Sequence, residues 1–150
     1  MKKLIAFCLF GLSLFGFQFI PKEDNKEIFS LSGISQACLV TTDNFESENS
    51  LTTLDYTYVY AGKDEAFELY KQINPKAVIL FFQNLKPDDL MKSLNMLVLK
   101  EEYINDCKII YGYTSKYNNF RLIENKRVNV QIACKNNEII AGFPLILSGF

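Results

Sequence analysis

The sequence predicts an α+β domain built on an antiparallel sheet, and three patterns carry that prediction. Two segments, 64–73 and 87–98, repeat apolar residues at the spacing of a helix with one buried face. Two neighbouring segments, 126–134 and 138–147, alternate about an Asn-Asn pair in the manner of a β-hairpin. Between these regions Ala77–Phe82 (AVILFF) is a continuous apolar run, suited to a central strand covered on both sides.

Taken in order, the elements follow from local chemistry. A first helix is expected at 24–32, capped by Asp24, with Ile28, Phe29 and Leu31 as its apolar patch and Gly33 at C′. Gln36–Thr42 reads as a strand, and the polar stretch 43–50 as a turn. Leu51–Ala61 reads as a second strand, with Leu54, Tyr56, Tyr58 and Tyr60 on one face and Asp55, Thr57 and Val59 on the other. That tyrosine row is either an exposed recognition surface or, as more often, a set of rings packed against helices with hydroxyls at the rim.

Asp64 can cap a helix in which Ala66, Leu69, Tyr70 and Ile73 share a face, and Asn74-Pro75 stops it. Pro87 suits the first turn of the next helix, whose buried stripe is Leu90, Met91, Leu94, Leu97 and Val98. Asp88 and Asp89 point about 100° apart on such a helix, which favours first-turn electrostatics over a catalytic or metal-binding pair. Lys108–Thr114 is another strand, with Tyr111 and Tyr113 opposite in face to Ile110 and Gly112. A polar connection, 115–125, carries Phe120, Leu122 and Ile123 as a short strand.

The C-terminal hairpin yields a register. With Asn136-Asn137 as a two-residue loop, Lys135 faces Glu138, Cys134 faces Ile139, Ile132 faces Ala141, Val130 faces Phe143 and Val128 faces Leu145. Opposed residues share a face, so the eight residues of the last four pairs fall together on one face and are all apolar. The other carries Asn129, Gln131, Gly142 and Pro144, with Ala133 and Ile140. Pro144 lacks an N–H, so the last strand is an edge, is bulged, or turns away at that point.

Composition bounds the chemistry. Hydrophobic residues make up 49% of the 150, enough for a packed core. There is no histidine, which removes the commonest general base, the Ser-His and Cys-His pairs and the commonest zinc ligand. No cofactor motif or metal-ligand spacing is present. Met1-Lys2-Lys3 followed by the apolar stretch Leu4–Ile20 has the order of a secretory leader. It is also at the lower limit of a membrane span, so residues 1–20 are a signal peptide or an N-terminal anchor, and 21–150 a single domain. Without that segment Lys+Arg fall from 16 to 14 against 17 Asp+Glu, a balance with no general pull towards nucleic acid. Cys38, Cys107 and Cys134 are odd in number and read as small buried hydrophobes, with one disulfide plus a free thiol as the alternative.

Tyr111-Gly112-Tyr113-Thr114, Arg127-Val128-Asn129-Val130-Gln131-Ile132-Ala133 and Gly142-Phe143-Pro144-Leu145-Ile146 together resemble the C-terminal signature of the YwmB family. The resemblance covers about forty residues. It implies an extracytoplasmic protein of Gram-positive bacteria with a fold like that of the TATA-box-binding protein: a curved antiparallel sheet with helices packed on one face. It does not imply a biochemical role, because fold alone does not set function.

The expected role is therefore a non-enzymatic envelope protein, secreted or held to the cytoplasmic membrane by its N-terminal segment. It would bind a protein or cell-wall ligand through the face of Asn129, Gln131, Gly142 and Pro144. On the competing reading of that face, Asn129 and Gln131 satisfy neighbouring backbone. The rival class is an envelope hydrolase with paired carboxylates drawn from Glu101, Glu102, Asp106, Glu124 and Glu138, with Glu101 and Glu102 read as a solvated helix end.

Overall fold

The computed structural model describes residues 25–147. The leader assigned to residues 1–20 and the Asp24 cap lie outside them. Three helices and ten strands alternate in the order α1 (Lys26–Phe29), β1 (Ile34–Thr41), β2 (Ser50–Thr52), β3 (Thr57–Ala61), α2 (Lys63–Ile73), β4 (Ala77–Phe82) and α3 (Pro87–Ser93). The second half continues with β5 (Leu97–Ile104), β6 (Cys107–Tyr113), β7 (Arg121–Ile123), β8 (Lys126–Val128), β9 (Val130–Lys135) and β10 (Glu138–Phe143). Eight strands form one sheet in the order β2-β3-β1-β4-β10-β9-β6-β5, and every neighbouring pair is antiparallel. β7 and β8 form a separate hairpin. The α+β class with a large antiparallel sheet is thus the class read from the sequence.

All three helices pack on one face. Ile28 and Phe29 of α1, Ala66, Tyr70 and Ile73 of α2, and Leu90 of α3 share a cluster with Leu39, Val59, Leu80, Ile110, Ile132 and Phe143. Strand alternation sends the intervening residues to the opposite face. There Cys38, Val40, Ala77 and Ile79 form a second cluster, flanked by Tyr56, Tyr58, Tyr60, Phe81, Ile140, Ile146 and Leu147. β4 lies between β1 and β10 with apolar contacts on both sides, as its unbroken AVILFF run requires.

The hairpin register holds over five pairs, from Glu138↔Lys135 to Gly142↔Gln131. It stops at Gly142. Phe143-Pro144 is a cis peptide, β10 ends there, and the chain turns back across the helix-free face. Ile146 packs against both minor clusters, and Gln131 Oε1 accepts a hydrogen bond from Ile146 N–H at 2.9 Å. The expected pairs Val130–Phe143, Asn129–Pro144 and Val128–Leu145 are therefore not part of the observed register. Gly142 permits this fold-back, since a Cβ there would collide with the Ile146 nitrogen and the Leu145 carbonyl carbon.

Several expected boundaries shift for identifiable reasons. Segment 51–61 is not one strand but the β2–β3 hairpin. Thr53 Oγ1 donates to the Tyr56 carbonyl and accepts from its N–H, closing a turn with Leu54 at its tip. The tyrosine row packs as rings, but on the face without helices. α1 is shorter than 24–32, although Gly33 takes the positive φ expected of it. Gly62, not Asp64, caps α2. α3 stops at Ser93 because Asn95 adopts positive φ, which places Leu97 and Val98 on β5, exposed, and not on a buried helical stripe. Glu101 and Glu102 consequently sit on a strand. Nine non-glycine residues have positive φ among those described, and all but Asp106 and Glu124 are asparagines. Among the described residues no helix is long and apolar enough to cross a membrane.

Cys38, Cys107 and Cys134 are all free, the first two buried and the third partly so. Desolvation pushes the Cys38 thiol from an ordinary 9.0 up to about 12, against the lowering effect of the Tyr60 side chain and the Val59 backbone. The folded state thus holds this proton where an unfolded chain releases it. Its stabilising contribution should be complete below about pH 9 and be lost as the pH climbs to about 12. Denaturation midpoints measured across that range should fall less steeply in Cys38→Val than in the parent. Gly142→Ala should cost about 1–3 kcal/mol in chemical denaturation, by displacing the returning segment.

Candidate functional site: a polar cleft beside the C-terminal strand

The site begins with one buried carboxamide. Asn129 lies between β8 and β9, fully buried. Its Nδ2 donates to the carbonyls of Thr114 (2.7 Å) and Tyr117 (2.6 Å), and its Oδ1 accepts from Thr114 N–H (2.7 Å). Its own N–H reaches the Gly112 carbonyl at 3.0 Å. Asparagine has two donors and an acceptor in one plane, so it satisfies three backbone groups that no apolar residue could. The effect is to clamp the loop after β6.

Two further contacts hold that loop. Asn25 Oδ1 accepts Asn118 N–H at 2.9 Å while its Nδ2 donates to the Tyr70 hydroxyl at 2.7 Å. The Tyr117 ring is buried against Phe143, with centroids 5.5 Å apart. Its hydroxyl has no well-formed hydrogen bond. Burial drives its ionisation far above that of ordinary phenol, with Tyr70 adding to the shift and the Asn119 side chain and Arg121 opposing it.

So anchored, the loop forms one wall of a cleft of about 530 Å³ with Asn118, Asn119, Phe120 and Arg121. The α2–β4 connection supplies Asn74, Pro75 and Lys76, and Pro144 completes the lining. Two cationic side chains and three carboxamides meet here, and no carboxylate is among the lining residues. Arg127 from β8 stacks over Phe120, 4.8 Å from its centroid, adding positive charge nearby. Such a donor-rich, acid-free lining suits an oxyanion or a hydroxylated ligand, and it contains no thiol, hydroxyl or carboxylate nucleophile.

The four residues expected to form a binding face are separated by this arrangement. Asn129 is committed to the loop, and Gln131 and Gly142 oppose each other beneath the returning segment. Pro144, although largely buried, lines the cleft. They do not make a single exposed surface. Lys76, Arg121, Asn74, Asn118 and Asn119 carried no signal as a set, because only tertiary structure brings 74–76 to 118–121.

Three of the five candidate carboxylates, Glu101, Glu102 and Glu124, are engaged in surface pairs. Glu101 meets Lys108 at 3.0 Å, Glu124 meets Lys100 at 2.8 Å, and Glu102 accepts the Tyr111 hydroxyl at 2.6 Å with Lys100 3.6 Å away. Lys100 holds the Glu124 carboxyl below its ordinary range. Asp106 and Glu138 border a second cleft of about 490 Å³ with Lys86, Lys108, Lys135 and Cys134. Desolvation raises the Cys134 thiol, with Cys107 adding and Lys108 opposing, so its thiolate is disfavoured at neutral pH. Among the described residues no group of three or more acidic or cysteine side chains is placed to hold a metal ion.

The chain matches no protein-family model, no curated protein and no solved structure at a significant level.

Asn129→Ala should destabilise the domain by about 2–4 kcal/mol, because it strands three buried backbone groups. Limited proteolysis should then cut within 114–121 before the rest of the chain. Asn129→Asp keeps only the accepted bond and should be no better tolerated.

Proposed function

We propose that this chain is an exported, non-enzymatic envelope protein that holds an anionic, hydroxyl-bearing cell-wall ligand in the cleft of Lys76, Arg121, Asn74, Asn118 and Asn119. The observation that carries the reading is the acid-free convergence of two cations and three carboxamides on a clamped loop. Lys2-Lys3 with the apolar stretch Leu4–Ile20 supports export, by secretion or by membrane anchoring. The three C-terminal motifs support kinship with the YwmB family. A sheet with all helices on one face supports the finer assignment to a fold like that of the TATA-box-binding protein. Nucleic acid is not the proposed ligand, given the acidic balance of the chain.

The test is calorimetric titration of the full chain with soluble wall polymer bearing phosphodiester groups. Lys76→Ala and Arg121→Ala should each weaken binding roughly tenfold to a hundredfold through loss of a charge-assisted contact. Binding that is indifferent to both substitutions would remove the cleft from consideration. A reporter active only outside the cytoplasm, fused after Phe150, should be active if the chain is exported.

One observation favours the hydrolase alternative: Asp106 and Glu138 both border the second cleft, the one of about 490 Å³. On that reading Asp106→Asn with Glu138→Gln abolishes release of wall fragments, whereas the binding reading predicts no release by the parent chain.

A further inference from the structure

β5 closes one end of the sheet, so among the described residues an outward row of its backbone N–H and C=O groups has no strand partner. Its register with β6 shifts between Val98 and Lys100, which sets Leu99 apart as a bulge. Lys126 Nζ reaches the Leu99 carbonyl at 3.4 Å and Lys100 Nζ meets Glu124 at 2.8 Å, so the β7–β8 hairpin touches β5 at and beside the bulge. On either side of it four large apolar residues stand in solvent: Leu97 is 62% exposed, Val98 41%, Tyr103 73% and Ile104 50%.

The placement of these residues is self-complementary. Leu97, Lys100, Glu102 and Ile104 oppose Tyr113, Tyr111, Ile109 and Cys107 of β6, and so share the helix-free face. Val98, Glu101 and Tyr103 oppose Gly112, Ile110 and Lys108 and share the helix face. With Leu99 set aside, the strand is a palindrome about Glu101. In an antiparallel pair of β5 strands, Leu97 meets Ile104, Val98 meets Tyr103 and Lys100 meets Glu102, each pair on one shared face. A two-fold axis produces every such pair twice, as an isologous contact requires.

We infer that β5 is a self-association edge: two copies of this chain pair β5 to β5 about a two-fold axis at Glu101, joining their sheets. Apolar pairs then cover all four exposed residues, and opposite charges meet between them. The two Glu101 carboxylates at the axis are each neutralised by Lys108, 3.0 Å away in the same chain. An unrelated extended segment could hydrogen-bond to this edge, but it has no reason to match apolar ends and a Lys-Glu centre in both directions. The second copy does so automatically.

Sedimentation of the purified full chain in mild detergent should show a reversible monomer–dimer equilibrium. Lys100→Glu sets like charges opposite each other twice per dimer and should weaken association about tenfold. Adding Glu102→Lys should restore it. Glu101→Cys should form an interchain disulfide under mild oxidation, far exceeding both the parent and Leu54→Cys at the distant β2–β3 tip. A chain that stays monomeric at micromolar concentration, a dimer indifferent to Lys100→Glu, or crosslinking no greater at position 101 than at 54 would each overturn the inference. So would a complex in which another protein occupies β5 while this chain remains single.

Discussion

A single buried carboxamide holds this architecture together at the point where it could most easily come apart. Asn129 interrupts what would otherwise be a continuous strand from Lys126 to Lys135. Its side chain takes the place of a ladder partner for the loop that follows β6. An apolar residue would leave Thr114 and Tyr117 backbone groups buried without partners, at a cost of about 1–3 kcal/mol each. The same three bonds direct Tyr117 into the core against Phe143 and leave Asn118, Asn119 and Arg121 outside, facing Lys76. Strand break, core anchor and cleft wall are consequences of one residue.

A second constraint comes from the sheet itself. Its central strands are apolar on both sides, yet the helices pack on only one. The chain resolves this with its own end: after Pro144 it doubles back, and Ile146 and Leu147 lie over Cys38, Ile79 and Ala133. Tyr58 completes that edge of the cover by donating its hydroxyl to the Leu147 carbonyl at 2.9 Å. The tyrosine row therefore has a structural partner in a segment far from it in sequence.

Legibility from sequence followed the range of the physics involved. The hairpin register was readable because turn chemistry and side-chain alternation are local and agree with one another. Ala77–Phe82 was readable because a run of six apolar residues bounded by Pro75 and Pro87 is too short for a typical helix and suits a strand covered on both sides. The stop at Asn95 was missed because Leu97 and Val98 continue the helical period, and period alone does not register an asparagine in a left-handed conformation. Asn129 and Gln131 were conspicuous as polar residues within apolar strands, but sequence could not say whether they faced a ligand or their own backbone. The structure answers with backbone partners for both. The cleft was invisible because its cations come from segments more than forty positions apart.

The asparagines at positive φ have a consequence that concerns the chain before it folds. Where many proteins place glycine, this one places Asn74, Asn84, Asn95, Asn105, Asn125, Asn136 and Asn137. A side chain at each of these points narrows the conformations open to the denatured ensemble, so less backbone entropy is surrendered on folding than with glycine. The left-handed geometry costs something in the native state, though least for asparagine among residues that carry a Cβ. Turn formation is thus biased in the nascent chain by its covalent composition, ahead of any tertiary contact.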